Sequence, residues 1–208
     1  AALSAYRYVQ LEAREPEARL LANAVLPGGS SYEGLVIAPV DSGVESLTDL
    51  EGKTFCYVDP DSSSGYLYPR ALMRRAGIDP ETAFRSVRFT GDHTASLRMV
   101  HRGLCDAGAV YRNLLYDRER HGLEPARFRI VATTARIPND AYTAAPTVDA
   151  AMAQRLRDAL LALAPGSAEA ARVLSAMDLR GFAEADDAAY DPAREIVSFL
   201  EERDGDDE

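Results

Sequence analysis

Residues 54–76 read TFCYVDPDSSSGYLYPRALMRRA and contain an apolar run, three consecutive serines and a helical pattern in immediate succession. The apolar run ends at an Asp-Pro pair, which is typical of a strand that leads into a turn. Apolar residues from Leu67 to Ala76 recur with helical spacing. The serines therefore lie between a strand and a helix, which is where ligands bind in a parallel sheet.

The same alternation of strand and helix patterns extends over most of the chain. Short apolar runs predict strands at residues 32–40, 54–58, 87–90, 107–111 and 128–133, with helical patterns between them. We therefore predict an α/β protein with mostly parallel sheets that helices cover on both faces. After Pro146 only helical patterns follow, so the last third is predicted to be helical, without a strand partner of its own.

This layout predicts two lobes. Lobe I comprises residues 1–41 and 135–208, and lobe II comprises residues 42–134. Two long extended segments, residues 32–40 and 128–142, are candidates for the crossings between the lobes. Ligand sites favour such interfaces.

Composition excludes several classes of function. The chain has 208 residues, of which 47% are hydrophobic, enough for a packed core. Its 33 acidic and 23 basic residues give a net charge of −10, and without a basic stripe we expect no nucleic-acid partner. No apolar run approaches the roughly 20 residues of a membrane-spanning helix, and no signal peptide is visible at the N-terminus. The histidines lack ligand spacing, so we expect neither a metal nor a cofactor.

Two cysteines, Cys56 and Cys105, lie in apolar runs that resemble strands. They are too few for a disulfide scaffold. Two buried thiols and a single bridge between neighbouring strands are both compatible with the sequence.

The serine run has several interpretations. It is a polar turn if composition alone decides. Its position before a helix start, with unpaired N–H groups and a positive partial charge, favours an oxyanion site, since three hydroxyls can donate and Gly65 lets the backbone approach closely. A hydrolase elbow would require a glycine two residues before the serine, and a P-loop would require Gly-Lys-Ser/Thr at the proper spacing after another glycine; neither pattern is present. A small anion therefore fits best.

Six motifs in one order resemble the solute-binding proteins of phosphate, phosphite and phosphonate ABC importers: SYEGLVIAPVDSGVESLTDLEGKTF, DPDSSSGYLYPRALMRRAGIDPETAF, FTGDH, GLCDAGAV and IPND, with SAYRYV before them. The resemblance implies a two-lobed periplasmic-binding-protein fold of type II that closes over its ligand. Family members carry a further strand–helix–strand region before the first tyrosine motif, so the first lobe is expected to be shortened at its N-terminus.

The resemblance also implies ligand-binding residues in lobe II. The family's Ser-Thr-Ser-Gly loop corresponds to Ser62, Ser63, Ser64 and Gly65, with a serine in place of the threonine. The histidine of the family's GxH-type motif corresponds to His93, which is expected to donate to a ligand oxygen.

Further residues are carried over from other motifs. Tyrosines that close over the ligand correspond to Tyr8, with Tyr6 as a competitor, and to Tyr32. Binders of aminoalkylphosphonates use two carboxylates for the ammonium group. Asp140 matches one of them, whereas the region of the other offers Tyr111 and Asn113 and no acid. The resemblance therefore favours phosphate, phosphite or a small alkylphosphonate over aminoethylphosphonate.

The sequence thus predicts a binding protein without catalytic residues. Its expected partners are a small phosphorus oxyanion and the membrane permease of an ABC importer, and the chain is expected to be a monomer. The expected location is periplasmic or extracellular, with a lipoprotein anchor as an option. One alternative is an anion-sensing input domain of a signalling protein. Another is a serine hydrolase using Ser63 or Ser64 with His93 and an aspartate, which the missing elbow glycine disfavours.

Overall fold

The structure is a computed structural model that describes residues 1–163, 166 and 168–206. Two compact units make up the chain. The first contains Ala1–Tyr32 and Ile137–Val197, and the second contains Glu33–Arg136 together with the chain from Ser198. These bounds differ from the predicted lobes, which place residues 33–41 in lobe I, because that segment forms a strand in the sheet of the second unit.

Among the described residues no helix has both the length and the apolar character needed to cross a membrane.

Strands and helices alternate along much of the chain. In chain order the elements are β1 (Ala2–Leu3), α1 (Ala5–Arg14), β2 (Arg19–Val25), β3 (Ser31–Pro39), β4 (Thr54–Tyr57), a π-helical turn (Ser63–Leu67), α2 (Tyr68–Arg75), β5 (Ser86–Phe89), α3 (His93–His101), β6 (Ala107–Tyr111), α4 (Arg112–Tyr116), α5 (Arg118–His121), β7 (Phe128–Pro138), β8 (Ala141–Ala144), α6 (Ala150–Ala162), α7 (Ala168–Ala176), β9 (Gly181–Glu184) and α8 (Asp191–Asp206).

The sheet of the second unit is mixed. Its strand order is β5-β4-β6-β3-β7, in which β4 runs parallel to β5 and β6, and β3 runs antiparallel to β6. Parallel neighbours require a crossover connection. Here α2 lies between β4 and β5, and α3 lies between β5 and β6. The predicted strand–helix pattern is therefore found in this unit.

The sheet of the first unit has the order β1-β8-β2-β9, and each of its neighbouring pairs is antiparallel. This differs from the mostly parallel pairing that the sequence predicts. The reason is that strands distant in sequence interleave: β8 lies between β1 and β2, and β2 lies between β8 and β9. The prediction that the last third lacks a strand is wrong, since β9 pairs with β2.

Helices cover the second sheet on both faces. Along β3, Leu35 and Ile37 join one buried cluster, which includes Leu97 from α3. Val36 and Ala38 point the other way into a cluster with helix α2. Successive side chains of a strand face opposite sides, so an uninterrupted apolar run is what a doubly covered strand requires.

A disulfide joins Cys56 in β4 to Cys105, just before β6, with Cα atoms 5.8 Å apart. Both cysteines are fully buried. Of the two alternatives that the sequence leaves open, the structure has the bridge. It closes a loop with a sequence separation of 49 residues, which includes both the serine run and His93.

Candidate functional site

Three strand ends meet at one edge of the second sheet. Because β5, β4 and β6 are parallel neighbours, their carboxyl ends lie at the same edge. The serine turn (residues 62–65) follows β4, His93 follows β5, and Tyr111 is the last residue of β6. The structure therefore brings together these sequence-predicted residues.

The serine turn is the start of a continuous helical segment that runs to Arg75. Ser62 caps it, since its hydroxyl oxygen accepts from the backbone N–H of Gly65 at 2.9 Å. Ser63 and Ser64 are buried, at 1% and 2% exposure. The first turn is π-helical, a form that is frequent at functional sites and that the sequence does not predict.

Two glycines allow the close packing of this turn. A Cβ at Gly65 would lie 2.5 Å from the Cβ of Val58, and one at Gly34 would lie 3.1 Å from the carbonyl oxygen of Ser64. The backbone N–H of Gly34 donates to the hydroxyl of Thr134 at 2.9 Å. Sequence reasoning missed Gly34, although a glycine inside a strand can indicate close backbone approach.

Val58 links the serine turn to the loop before His93. Its N–H donates to the carbonyl of Gly65 at 3.1 Å, and its own carbonyl accepts from the N–H of Gly91 at 2.8 Å. The two loops are therefore attached to one residue at the end of β4, which fixes the His93 loop beside the serine turn.

His93 is the first residue of α3, whose N-cap is Asp92. Its ring packs edge-on against Tyr111 with centroids 4.8 Å apart. Its Nδ1 is buried and has no hydrogen-bond partner among the described residues. Desolvation lowers the pKa of His93 to about 4, with a smaller contribution from Arg120 and an opposing one from Asp92. The ring is therefore neutral near pH 7 and can donate one N–H.

Two arginines, Arg112 and Arg120, lie in the short helices that follow β6. Arg112 donates to Glu33 at 2.6 Å and to the hydroxyl of Thr133 at 3.3 Å. Asn113 is exposed, and the hydroxyl of half-buried Tyr111 accepts from Arg120 at 3.3 Å. The structure thus places Asn113 and Tyr111 at this sheet edge and provides no carboxylate at position 113.

The remaining predicted residues belong to the first unit. Tyr8 is buried, its hydroxyl donates to Asp187 at 2.6 Å, and its ring packs on Tyr190 at 4.5 Å. Burial together with this bond raises the pKa of Tyr8. Tyr6 and Tyr32 are half-buried. Tyr8 and Tyr32 as ligand-binding residues stay predictions, with Tyr6 as the competitor of Tyr8.

Asp140 follows Asn139, which is buried and donates to the carbonyls of Ala24 and Gly29 at 3.0 and 2.7 Å. Asp140 itself is exposed, yet the surrounding protein desolvates its carboxylate and raises its pKa to about 6. Exposure keeps the group accessible to a ligand. Desolvation makes a cationic or hydrogen-bonding partner favourable for it.

The described residues hold no group of three or more His, Cys, Asp or Glu side chains that could bind a metal ion. A catalytic triad needs a third group to orient the histidine that activates the serine. No such group among the described residues bonds the Nδ1 of His93. The arrangement is one of hydrogen-bond donors around a helix start, which suits reversible anion binding.

A family model and two relatives match this chain. A family model described as "ABC transporter, phosphonate, periplasmic substrate-binding protein" matches residues 1–190. The Phosphate-import protein PhnD of Mycolicibacterium smegmatis is 32% identical over 126 residues, which is 57% of this chain and 39% of that protein. The tetrathionate sensor histidine kinase TtrS of Salmonella typhimurium is 28% identical over 170 residues, 74% of this chain and 28% of that protein. The chain thus spans well under half the length of either relative.

Solved structures show the same fold. PhnD1 of Prochlorococcus marinus, in complex with methylphosphonate, has a TM-score of 0.84 at 18% identity and covers 96% of this chain and 77% of its own. A phosphonate-transporter binding component of Pseudomonas aeruginosa has a TM-score of 0.85 at 23% identity, covering 98% and 69%. XAC2383 of Xanthomonas citri, bound to ATP, has a TM-score of 0.81 at 26% identity, covering 98% and 78%.

Proposed function

Because the chain belongs to the family of periplasmic phosphonate-binding proteins of ABC transporters, we propose that it binds a small phosphorus oxyanion: phosphate, phosphite or an alkylphosphonate. The serine turn carries this proposal. Its hydroxyls and N–H groups lie at a helix start, where anions are stabilised by unpaired donors and by the helix dipole. The neutral imidazole of His93 supplies a further donor at the same sheet edge.

The charge distribution supports an anionic ligand despite the net charge of −10. Residues 33–136, which contain the serine turn and His93, carry 14 acidic and 14 basic side chains. The excess negative charge therefore lies outside this segment. A local field from oriented donors is sufficient to hold a small anion.

The biological setting that we propose is import. The protein would present its ligand to the permease of an ABC importer, as a monomer in the periplasm or outside the cell, with a lipid anchor as an option. The buried disulfide supports an oxidising compartment, because such bonds are rare in the reducing cytosol. The name of the Mycolicibacterium relative, a phosphate-import protein, supports phosphate as one of the candidate ligands.

Isothermal titration calorimetry with phosphate, phosphite, methylphosphonate and aminoethylphosphonate tests the proposal. We expect one-site binding of at least one amine-free ligand. Sulfate at the same ionic strength serves as the control for unspecific anion binding. The absence of a binding isotherm for every ligand in the millimolar range would contradict the proposed function.

A sensing role is the second candidate, and the match to the TtrS sensor kinase over 170 residues favours it. In that role the same site would report an anion to a kinase module. Mass spectrometry of the native polypeptide distinguishes the two roles. Continuation of this chain into a membrane helix and kinase module would support sensing, and a mature protein without them would support import.

The family is one of transport proteins, and we infer that this chain catalyses no reaction. A serine nucleophile would require a hydrogen-bonded and oriented His93, whereas the Nδ1 of this ring has no partner among the described residues. A fluorophosphonate probe provides the test. Stoichiometric labelling of Ser63 or Ser64 would revive the hydrolase alternative.

A further inference from the structure

The hydroxyl of Thr90 attaches the start of α3 to the end of β4. Thr90 lies in the loop between β5 and α3, and its Oγ1 donates to the carbonyl of Tyr57 at 3.1 Å and to that of Asp92 at 3.0 Å. Tyr57 is the last residue of β4, and Asp92 is the N-cap that directly precedes His93. A hydroxyl carries one proton, which the two carbonyls therefore share. This shared hydrogen bond reaches the residue next to His93.

The neighbouring hydrogen bonds do not replace this attachment. The backbone N–H groups of Thr90 and Gly91 donate to carbonyls at the end of β4 at 3.0 and 2.8 Å, which holds the loop to that strand as far as Gly91. The carboxylate of Asp92 is engaged within α3, where it accepts from the N–H of Ala95 at 2.9 Å. The Thr90 hydroxyl therefore extends the attachment from the loop to the helix start.

A second side-chain bond holds α3 on the other side of His93. Ser96 is fully buried, and its hydroxyl donates to the carbonyl of Ala109 in β6 at 3.0 Å. His93 thus lies between an attachment to β4 and an attachment to β6, and its ring packs against Tyr111 at the end of β6. Thr90 supplies the attachment to β4, the strand that the serine turn follows.

We infer that Thr90 is a positioning residue, whose hydroxyl holds the imidazole of His93 beside the serine turn and so contributes to anion affinity. The effect on affinity rests on the proposed function, whereas the placement of His93 does not depend on a ligand. A donor that is held in place before binding loses less conformational freedom when the ligand arrives. Without the hydroxyl, only the loop backbone attaches His93 to β4, and we expect the ring to leave its buried position more often.

Thr90→Val and Thr90→Ser separate the hydroxyl from the rest of the side chain. Valine has the same branched shape, and both carbonyls keep a backbone donor, since Tyr57 accepts from the N–H of residue 90 and Asp92 accepts from that of Ser96. The valine variant should therefore fold. Calorimetry with phosphite or phosphate should show an affinity about threefold to tenfold lower in Thr90→Val, as for one lost hydrogen bond, and within about twofold of wild type in Thr90→Ser.

The titration of the His93 ring, followed by NMR without ligand, reports its placement. Burial lowers the pKa of His93 to about 4, and a ring that leaves its buried position titrates closer to the ordinary value of 6.5. We expect the midpoint to rise in Thr90→Val and to stay in place in Thr90→Ser. Asp92 and Arg120, which act on this pKa in opposite directions, are kept in both variants. His93→Gln assigns the signal among the three histidines of the chain.

Thr94→Val is the matched control, because it removes the same group from the half-buried residue that directly follows His93 in α3. If Thr90→Val lowers the affinity no more than Thr94→Val does, or leaves the His93 titration unchanged, the inference is wrong while the proposed function stands. An equal loss of affinity in Thr90→Ser would also overturn it, since the hydroxyl would not be the cause. If wild type binds none of the phosphorus oxyanions, the proposed function fails, and the His93 titration alone then decides whether Thr90 places the ring.

Discussion

Single residues determine how the proposed anion site is built. Ser62 caps the helical segment. Gly65 packs closely against the side chain of Val58, and Gly34 packs closely against the backbone of Ser64. His93 contributes a neutral ring with a buried, unpartnered nitrogen. Three predictions follow from the local chemistry of these positions.

Gly65→Ala should destabilise the protein. Its new Cβ would lie 2.5 Å from Val58 in a buried turn, and such overpacking costs about 1 to 3 kcal/mol. Urea denaturation followed by circular dichroism measures the change. Gly28→Ala is the control, since a Cβ there meets nothing within 4 Å. Equal stability of the two variants would show that the turn can relax.

Ser64→Ala should weaken oxyanion binding without a comparable loss of stability. The hydroxyl is a candidate donor to a charged ligand, and such a bond contributes about 1 to 3 kcal/mol. Calorimetry with phosphite or phosphate measures it. Ser175→Ala, at an exposed position of α7, is the control. Unchanged affinity in Ser64→Ala would remove this hydroxyl from the site.

Acidification should destabilise the protein through His93. Desolvation lowers its pKa from 6.5 to about 4, so between these values the unfolded chain binds a proton that the folded chain does not. The contribution of His93 to the free energy of unfolding therefore falls as pH decreases through this window and levels off below it, whereas the raised pKa of Asp140 contributes in the opposite direction. His93→Gln should lose less stability on acidification than wild type, because only the His93 contribution is removed. His101→Gln, at the other end of α3, is the control, and identical slopes for wild type and His93→Gln would contradict the assignment.

At the level of secondary-structure elements, the position of the proposed anion site depends on strand β4. This strand lies between β5 and β6 in the sheet, and the serine turn follows it. The disulfide attaches this strand to the segment before β6. The disulfide therefore restrains β4 relative to β6, and α2, β5 and α3 lie between these two strands in the sequence. One prediction concerns this restraint.

Replacement of both Cys56 and Cys105 by alanine should lower the free energy of unfolding by about 2 to 4 kcal/mol, because the unfolded chain regains the entropy of a loop of 49 residues. Urea denaturation of oxidised wild type, reduced wild type and the double variant measures this. Reduced wild type should resemble the double variant. A double variant as stable as oxidised wild type would show that the bridge contributes little.

At the level of the whole molecule, a ligand that binds only the folded state stabilises it. Phosphite or phosphate at about 100 times its dissociation constant should add about 2.7 kcal/mol to the free energy of unfolding. Thermal denaturation with and without ligand measures the effect, and sodium chloride of equal ionic strength is the control. Equal stabilisation by sodium chloride would indicate a general salt effect in place of site binding.

Local patterns in the sequence are sufficient to predict much of the fold and the position of the serine turn between a strand and a helix. The strand–serine–helix order of residues 54–76 and the predicted strands of the second unit occur in the structure. These features depend on side-chain periodicity or on hydrogen bonds between residues that are close in sequence. A short segment therefore contains all the information that specifies them. The Asp79-Pro80 pair, a pattern that is typical of a helix start, is followed by a turn and not by a helix.

Other features were decided by tertiary structure, because they depend on contacts between distant segments. The interleaved order β1-β8-β2-β9 joins both ends of the first unit. The hydroxyl of Tyr8 donates to Asp187, which is 179 residues away in the sequence. The local motif around Tyr8 does not predict this bond.

The sequence by itself determined the serine turn, its place between a strand and a helix, and the family that it resembles. Only the tertiary structure decided that Cys56 and Cys105 pair and that Arg120 reaches Tyr111 beside His93. The physical reason is that caps and periodicity act over a few residues, whereas burial and long-range bonds arise only when the chain has folded.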